Sequence, residues 1–308
     1  MRIPFTLKRT ARKIPGVLKF KRALERLLGR ETGPNPDGMK ARSLVKSIED
    51  FRLEDTPVGS GVRLSPDLRD RVVSRFSKRA EEFFRELGLP VEGVSSDVQE
   101  FFESLKSNPA RDDRGGATGD RRNLWLYLLA AQLEPGTVVE SGVWVGRSLY
   151  TLREAAPSAS LHAFDINLGR LTFQDESIDY HEYDWSKSDV ACSGENGLCY
   201  FDDHINNGRR IREAYEKGFK HLVFDQCPRV SEVHPYRYPG IPTAMMIARD
   251  ELRKGDCIEY RWDGKKLRYQ FSPDDTWGAE DLIDLACYFP AFEEGGGRVN
   301  HFAYVRLS

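Results

Sequence analysis

A chain of 308 residues, 40% hydrophobic and 31% charged with a formal net charge of −2, has an ordinary globular composition and room for one large domain with extensions. That charge balance gives the chain as a whole no bias toward nucleic acid. No apolar run approaches the roughly 18 residues of a membrane-spanning helix. The five cysteines, Cys192, Cys199, Cys227, Cys257 and Cys287, form no CxxC pair, which argues against structural zinc and for a reducing, cytoplasmic compartment.

Residues 1–35 read as a basic arm. Ten lysines and arginines stand against Glu25 within the first thirty positions. Val17, Leu18, Phe20, Leu24, Leu27 and Leu28 can share one helical face. The arm is therefore either a solvated extension or an amphipathic helix lying peripherally on an anionic membrane through residues 1–30. No continuous apolar core follows the basic residues, so a secretory signal does not fit. Residues 36–134 read as a helical N-terminal extension. A helix is predicted from the Ser65-Pro66 start to Gly88. A second is predicted over "SSDVQEFFESLKS", capped by Ser95 or Ser96, and a third over "RRNLWLYLLAAQL", Arg121 to Leu133. Between those two, "NPARDDRGGATGD" reads as a loop.

Residues 135–308 read as one α/β domain. Strand patterns "TVVES", "SLHAFD", "DYHEYD", "GLCYFDD" and "KHLVFDQ" are separated mostly by helical ones, of which "SLYTLREAA" and "NNGRRIREAYEKG" are the clearest. Continuous apolar strands between helices imply a Rossmann-like fold, with a mostly parallel central sheet and helices on both faces. After the fifth strand, "EVHPYRYPGIP" brings His234, Tyr236, Arg237 and Tyr238 into a loop where an acceptor pocket is commonly built. Further on, Asp263-Gly264 marks a hairpin and "NHFAYVRLS" a closing strand, antiparallel elements expected to complete the sheet edge. "EEGGGR" reads as a surface loop.

Four of these strands end in acids: Asp165, Asp184, Asp202-Asp203 and Asp225. Open α/β sheets bind ligands beyond the carboxyl ends of their strands. The first strand leads into "VVESGVWVGRS", in which Glu140 precedes Gly142 and Gly146 and a helix opens near Ser148. The glycines let the backbone turn tightly and approach a ligand. A dinucleotide site prefers G-x-G-x-x-G and would be repelled by a carboxylate at this point. S-adenosylmethionine carries a sulfonium, an ammonium and a ribose, and suits this loop better. Glu140, Gly142, Gly146, Ser148 and Asp165 are expected to hold it, Asp165 on the ribose hydroxyls, with Asp184 bordering the adenine.

The motif "ESGVWVGRS" resembles the E-T-G-V-W-x-G-G-S signature of the macrocin O-methyltransferase family, with Ser141 and Arg147 as departures. "FDDHIN", Phe201 to Asn206, is similar to the D-D-G-S-H-I-N stretch of macrolide sugar O-methyltransferases, shortened by two residues. The resemblance covers about Thr137 to Pro228. It implies a class I methyltransferase fold, O-methylation of a sugar or glycosylated acceptor, and a magnesium ion at the ends of strands four and five. The corresponding metal ligands are Asp203, or Asp202 in its place, with Asp225 and Gln226. Family members usually carry two adjacent acids where this chain has Asp225-Gln226.

His204 follows the paired aspartates. An imidazole with an ordinary pKa near 6.5 can take a hydroxyl proton near neutrality, so His204 and Asp203 are the candidate catalytic residues. Strand alternation turns Asp202 and Asp203 to opposite sides. His162 and His181, within strands, read as structural. The acceptor is expected to be a small molecule or a glycan, and a homo-oligomer stays open. Two other readings remain open: a non-catalytic domain that keeps the fold for binding, and a nucleotide-dependent oxidoreductase.

Overall fold

The computed structural model describes residues 66–110, 120–233, 240–262, 265–291 and 298–308. The basic arm, most of the "NPARDDRGGATGD" loop, the segment holding His234 and Tyr236 to Tyr238, the Asp263-Gly264 turn and all but the last residue of "EEGGGR" lie outside them. The chain divides into two compact units, Met1–Val72 and Val73–Ser308. Of the first, only the opening residues of one helix are described; everything that follows concerns the second.

Three helices precede the sheet: α1 (Pro66–Glu86), α2 (Val94–Ser104) and α3 (Asp120–Leu133). Helix α2 begins earlier than its serines suggest. Gly93 occupies the N-cap with φ 81°, and Ser96 Oγ donates back to Gly93 O at 2.7 Å instead of capping. The expected serine cap is therefore corrected: a left-handed glycine turns the chain into the helix two residues before Ser95. Phe83 and Phe84 of α1 meet the Trp125 ring of α3 at 5.3 and 5.9 Å in edge-on contacts, the arrangement the aromatic quadrupole favours.

The domain then alternates as the apolar runs predict. Strands β1 (Thr137–Ser141), β2 (Ser160–Phe164), β3 (Ile178–His181), β4 (Leu198–Phe201) and β5 (His221–Phe224) are parallel, with α4 (Arg147–Ala155) and α5 (Asn207–Glu216) among their connections. After the short α6 (Ala244–Ala248) come β6 (Cys257–Trp262), β7 (Lys265–Gln270), β8 (Ile283–Pro290) and β9 (Arg298–Leu307). The seven-stranded sheet runs β3-β2-β1-β4-β5-β9-β8, with β9 antiparallel to both β5 and β8. It is the Rossmann-like, mostly parallel sheet that the strand–helix alternation calls for.

Two features depart from the sequence reading. The β6–β7 hairpin forms a two-stranded sheet of its own instead of extending the main one. It packs through Tyr260 and Phe271 on Ile241, Met246 and Leu252, a small second core. The outermost place is taken by β8, which sequence reasoning did not assign. Its residues are mostly half-buried, the weak pattern of an edge strand.

Strand register sorts the side chains into two faces. Val139, Phe164, Cys199, Phe201, Leu222, Phe224, Ala303 and Val305 share one face and pack with Ile211 and Ala214 of α5 and Met245 of α6. On the other face, Tyr200 and Tyr304 approach the Phe302 and Phe289 rings, and Phe289 stacks obliquely on Trp125 of α3. Helices therefore cover both faces, and every acid after a strand inherits a side from its place in the alternation. Among the described residues, no helix is long and apolar enough to cross a membrane.

Candidate functional site

A cleft of about 600 Å³ opens at the carboxyl ends of β1 to β5, within the roughly 300–1,000 Å³ usual for small-molecule sites. Two organising schemes meet along it.

At the β1–β2 end, backbone amides are gathered by a carboxylate. Asp165 Oδ2 accepts from the amides of Val143 and Trp144, each at 3.0 Å, and Oδ1 from Asn167 N at 2.9 Å. The carboxylate thus fixes the loop between β1 and α4, and keeps about one of its four acceptor sites for a ligand. Trp144 is held at φ 53°, costly for a bulky residue, with the Arg170 guanidinium 4.0 Å over its ring. Ile166 lines the cleft with 81% of its surface exposed, beside Trp144 and Tyr183. An aliphatic side chain left in water in a cleft that two aromatic rings also line offers surface to a flat apolar group.

The two loop glycines do different work. A Cβ on Gly142 would lie 2.6 Å from the Asp202 carbonyl carbon and 2.7 Å from Asp203 N, so its bareness lets β1 close against the end of β4. Gly142 also lines the cleft, whereas Gly146 caps α4 at φ 86° and faces Leu171 and Phe173. Glu140 and Ser148 meet each other beneath the loop, off the cleft wall. Ser148 Oγ donates to Glu140 Oε1 at 2.5 Å, and Oε2 has no hydrogen-bond partner among the described residues. Full burial pushes the Glu140 carboxyl up to about 8 despite the serine, with the Asp165 charge adding to the rise.

At the β3–β5 end, carboxylates are gathered by guanidinium groups. Arg210 of α5, its side chain 1% exposed, forks onto Asp184 at 3.1 and 3.2 Å, reaches Asp203 Oδ2 at 2.8 Å and touches Glu213 at 2.6 Å. Burial opposes the Asp184 charge, but Arg210 and the hydroxyl and amide of Ser186 outweigh it and hold that carboxyl well below the usual range. Ser141 Oγ also donates to Asp203 Oδ2 at 2.6 Å. Asp203 does not cap α5; Asn206 does, accepting from Arg209 N at 3.2 Å.

The paired aspartates diverge. Asp203 turns to the α5 face. Asp202 turns to the α3 face, toward Asp225, which follows Phe224 as Asp202 follows Phe201. Burial and the neighbouring Asp225 charge raise the Asp202 carboxyl well above its ordinary value. Asp225 is ion-paired with Arg122, which arrives from the first turn of α3. His204 stands between the two sets at φ 58°, lining the cleft with Gln226, itself at φ 51°. Burial lowers the His204 pKa, partly offset by the charges of Asp225 and Asp203. Two non-glycine residues in the left-handed region at adjacent strand ends mark backbone held for a purpose.

The expected metal set is corrected. Asp203 and Asp225 face opposite sides of the sheet, and each is already bound by an arginine. Among the described residues, no three His, Cys, Asp or Glu side chains are grouped to hold a metal ion. A divalent cation needs several converging oxygens free of other cations, so these residues do not fit one. Sequence reasoning missed Arg122 and Arg210 altogether, and also Trp144, Ile166, Arg170 and Tyr183. The only signal for Arg122 was a basic pair at a helix start, where the macrodipole disfavours it.

No family model and no curated protein matches the chain. Solved structures align with low similarity. A CmcI N160 chain with SAH aligns at a TM-score of 0.32 and 20% identity, over 38% of this chain and 64% of that one. The SAH-bound Podospora anserina methyltransferase PaMTH1 gives 0.39 and 14%, over 82% and 100%. The O-methyltransferase TomG from Streptomyces achromogenes, in complex with SAM, gives 0.37 and 11%, over 74% and 95%. Likenesses of this size carry no weight for what the cleft does.

Proposed function

We propose that the cleft binds S-adenosylmethionine and transfers its methyl group to a hydroxyl of a sugar or glycosylated acceptor, with His204 as the general base. The observation that carries the reading is the position of His204. It is strained into the cleft between Asp203 and Asp225, beyond the end of the cleft whose residues suit an adenosyl group. The sugar acceptor follows from the likeness of Glu140–Ser148 and Phe201–Asn206 to the two sugar-methylating signatures.

The cleft residues fit this cofactor. Asp165 Oδ1 offers an acceptor to a ribose hydroxyl. Ile166, Trp144 and Tyr183 offer apolar and aromatic surface to a purine. The wall's aspartates outnumber its arginines and suit a cationic ligand. When bound, S-adenosylmethionine supplies an electrophilic methyl group on a sulfonium. The remaining work belongs to the chain. Neutral His204 takes the proton of the acceptor hydroxyl, and the imidazolium so formed faces two carboxylates that stabilise it, Asp225 and Asp203. Arg210 and Ser141 hold Asp203 in place for this. Positioning both reactants in one cleft lowers the barrier further, since proximity and orientation are worth several kcal/mol, about 7–11 at best.

Calorimetry with S-adenosylmethionine and SAH tests the binding half; no heat from either with folded protein would sink it. The chemical half is tested by His204→Ala with a panel of sugar and macrolide glycoside acceptors. The transfer rate should fall about 10²–10⁴-fold with cofactor affinity unchanged. Wild-type activity should rise with pH along a limb centred below the imidazole's ordinary 6.5, because burial lowers the His204 pKa and only the neutral ring accepts a proton. The variant should lack that limb.

A further inference from the structure

The acids at the ends of β4 and β5 fall into two sets, and the less conspicuous one lies on the α3 face. Asp202 and Asp225 both turn to that face, each one residue beyond the register-paired Phe201 and Phe224 that end adjacent strands. They are the pair in this region that could converge on one cation. Asp225 is only 3% exposed, and its Oδ1 is also taken by Gln226 N at 2.8 Å.

The cation at that pair is already part of the chain. Arg122 ion-pairs with Asp225 with its own side chain only 19% exposed, and its charge also acts on Asp202. Its place in the helix is unfavourable in isolation. A guanidinium in the first turn of α3 opposes the helix dipole, and it gives up water as well. A nearly buried carboxylate opposite it offsets both costs, so the position of Arg122 is explained by Asp225 and not by the helix.

We propose that Arg122 is a built-in cation occupying the place between Asp202 and Asp225 that a divalent metal would otherwise take, so that the site works without one. A fixed guanidinium sets one positive charge against the pair, presents five donors and leaves no oxygen cage for a hard cation. Arg122 is a positioning residue: it holds Asp225 beside His204. The inference rests on the proposed transfer reaction only for its activity arm; its ion-binding arm stands apart.

The test uses the full chain and Mn²⁺ as a paramagnetic probe. With wild-type protein, the six-line resonance of aqueous Mn²⁺ should keep its full amplitude. With Arg122→Ala, freed of the guanidinium, the amplitude should fall, and Asp225→Asn added to it should restore the signal. If Arg122→Ala does not fold, as judged by its thermal transition, Arg122→Gln carries the same arm. Loss of the signal with wild-type protein, reversed by Asp225→Asn, would overturn the proposal. So would an undiminished signal with a folded Arg122 variant. In the activity arm, methyl transfer should be unchanged by EDTA and by added Mg²⁺, and a requirement for Mg²⁺ would equally overturn it. If no acceptor is methylated at all, the transfer reading fails while the Mn²⁺ result still decides this one.

Discussion

The two ends of the cleft use carboxylates in opposite ways. At the β1–β2 end, Asp165 collects three backbone amides within two short segments that its own strand and β1 bring together. At the β3–β5 end, Asp184, Asp203 and Asp225 are answered by arginines from α5 and α3, and Arg122 lies 103 residues from Asp225 in sequence. The first scheme is built from groups every residue carries. The second depends on particular side chains delivered by other elements. A site of the first kind tolerates exchange of side chains around it, and one of the second kind fails when a single partner is removed.

The contrast can be broken most sharply at Arg210. Arg210→Ala would leave Asp203 without its ion-pair partner in a protected place, and Asp184 and Glu213 with Arg209 alone. Removing one partner of a buried ion pair costs about 3–5 kcal/mol. Denaturant unfolding should show a loss of that order. Arg210→Lys should recover only part, because an ammonium cannot fork onto Asp184 while reaching Asp203. A loss no larger than that of an exposed arginine such as Arg212 would mean that the β3–β5 end is not organised around this guanidinium.

The same division explains what the sequence made legible. The sheet was legible, because β1, β2, β4 and β5 are short apolar runs separated by turn and helix signals, and Asp165 was legible because a strand-end acid is a local pattern. The β8 strand was not: Leu285 to Phe289 is a short apolar run, but no strand–helix alternation frames it, and most of the strand's residues are only half-buried. Nor was the disagreement with a metal site. Asp203 and Asp225 look alike in sequence, each ending an apolar strand. Whether they converge depends on which face each inherits and on which cations arrive from α3 and α5. Arg122 and Arg210 have no motif, because an arginine's partner is fixed by tertiary packing. Glu140 was legible as an acid at a strand end, but its burial beneath α4 was not. A strand end alone does not say whether a side chain points into the cleft or under the adjoining helix.

Asp165→Ala tests the β1–β2 end and should have a smaller, more local effect. Val143 N and Trp144 N would lose a charged acceptor, worth about 1.5–3 kcal/mol for such hydrogen bonds. The stability loss should be only part of that, since Trp144 lies exposed and its amide can turn to water. The larger share should appear in binding, as a roughly 10–100-fold weakening for SAH by calorimetry. Unchanged SAH affinity in a folded Asp165→Ala protein would separate the loop from the cofactor and move the proposed binding site elsewhere in the cleft.

Glu140 sharpens the comparison from below, because it is a buried acid answered by neither scheme: one hydroxyl reaches Oε1, and among the described residues no guanidinium is paired with it. Its carboxyl rises from 4.5 to about 8, chiefly through burial. Between those values the folded protein holds a proton that the unfolded chain has released. Stability must therefore fall as pH rises through that window and level off above it, with a slope of at most about 1.4 kcal/mol per pH unit from this group. Glu140→Gln keeps the shape, can still accept from Ser148 through its amide oxygen and cannot ionise, so it should lack that slope. Unfolding of the two proteins in urea at intervals from pH 5 to pH 9 measures the difference directly. The Glu140→Gln protein should gain on wild type steadily up to about pH 8 and no further. Parallel curves for the two proteins would mean that Glu140 ionises freely in the fold, with water or a cation reaching Oε2.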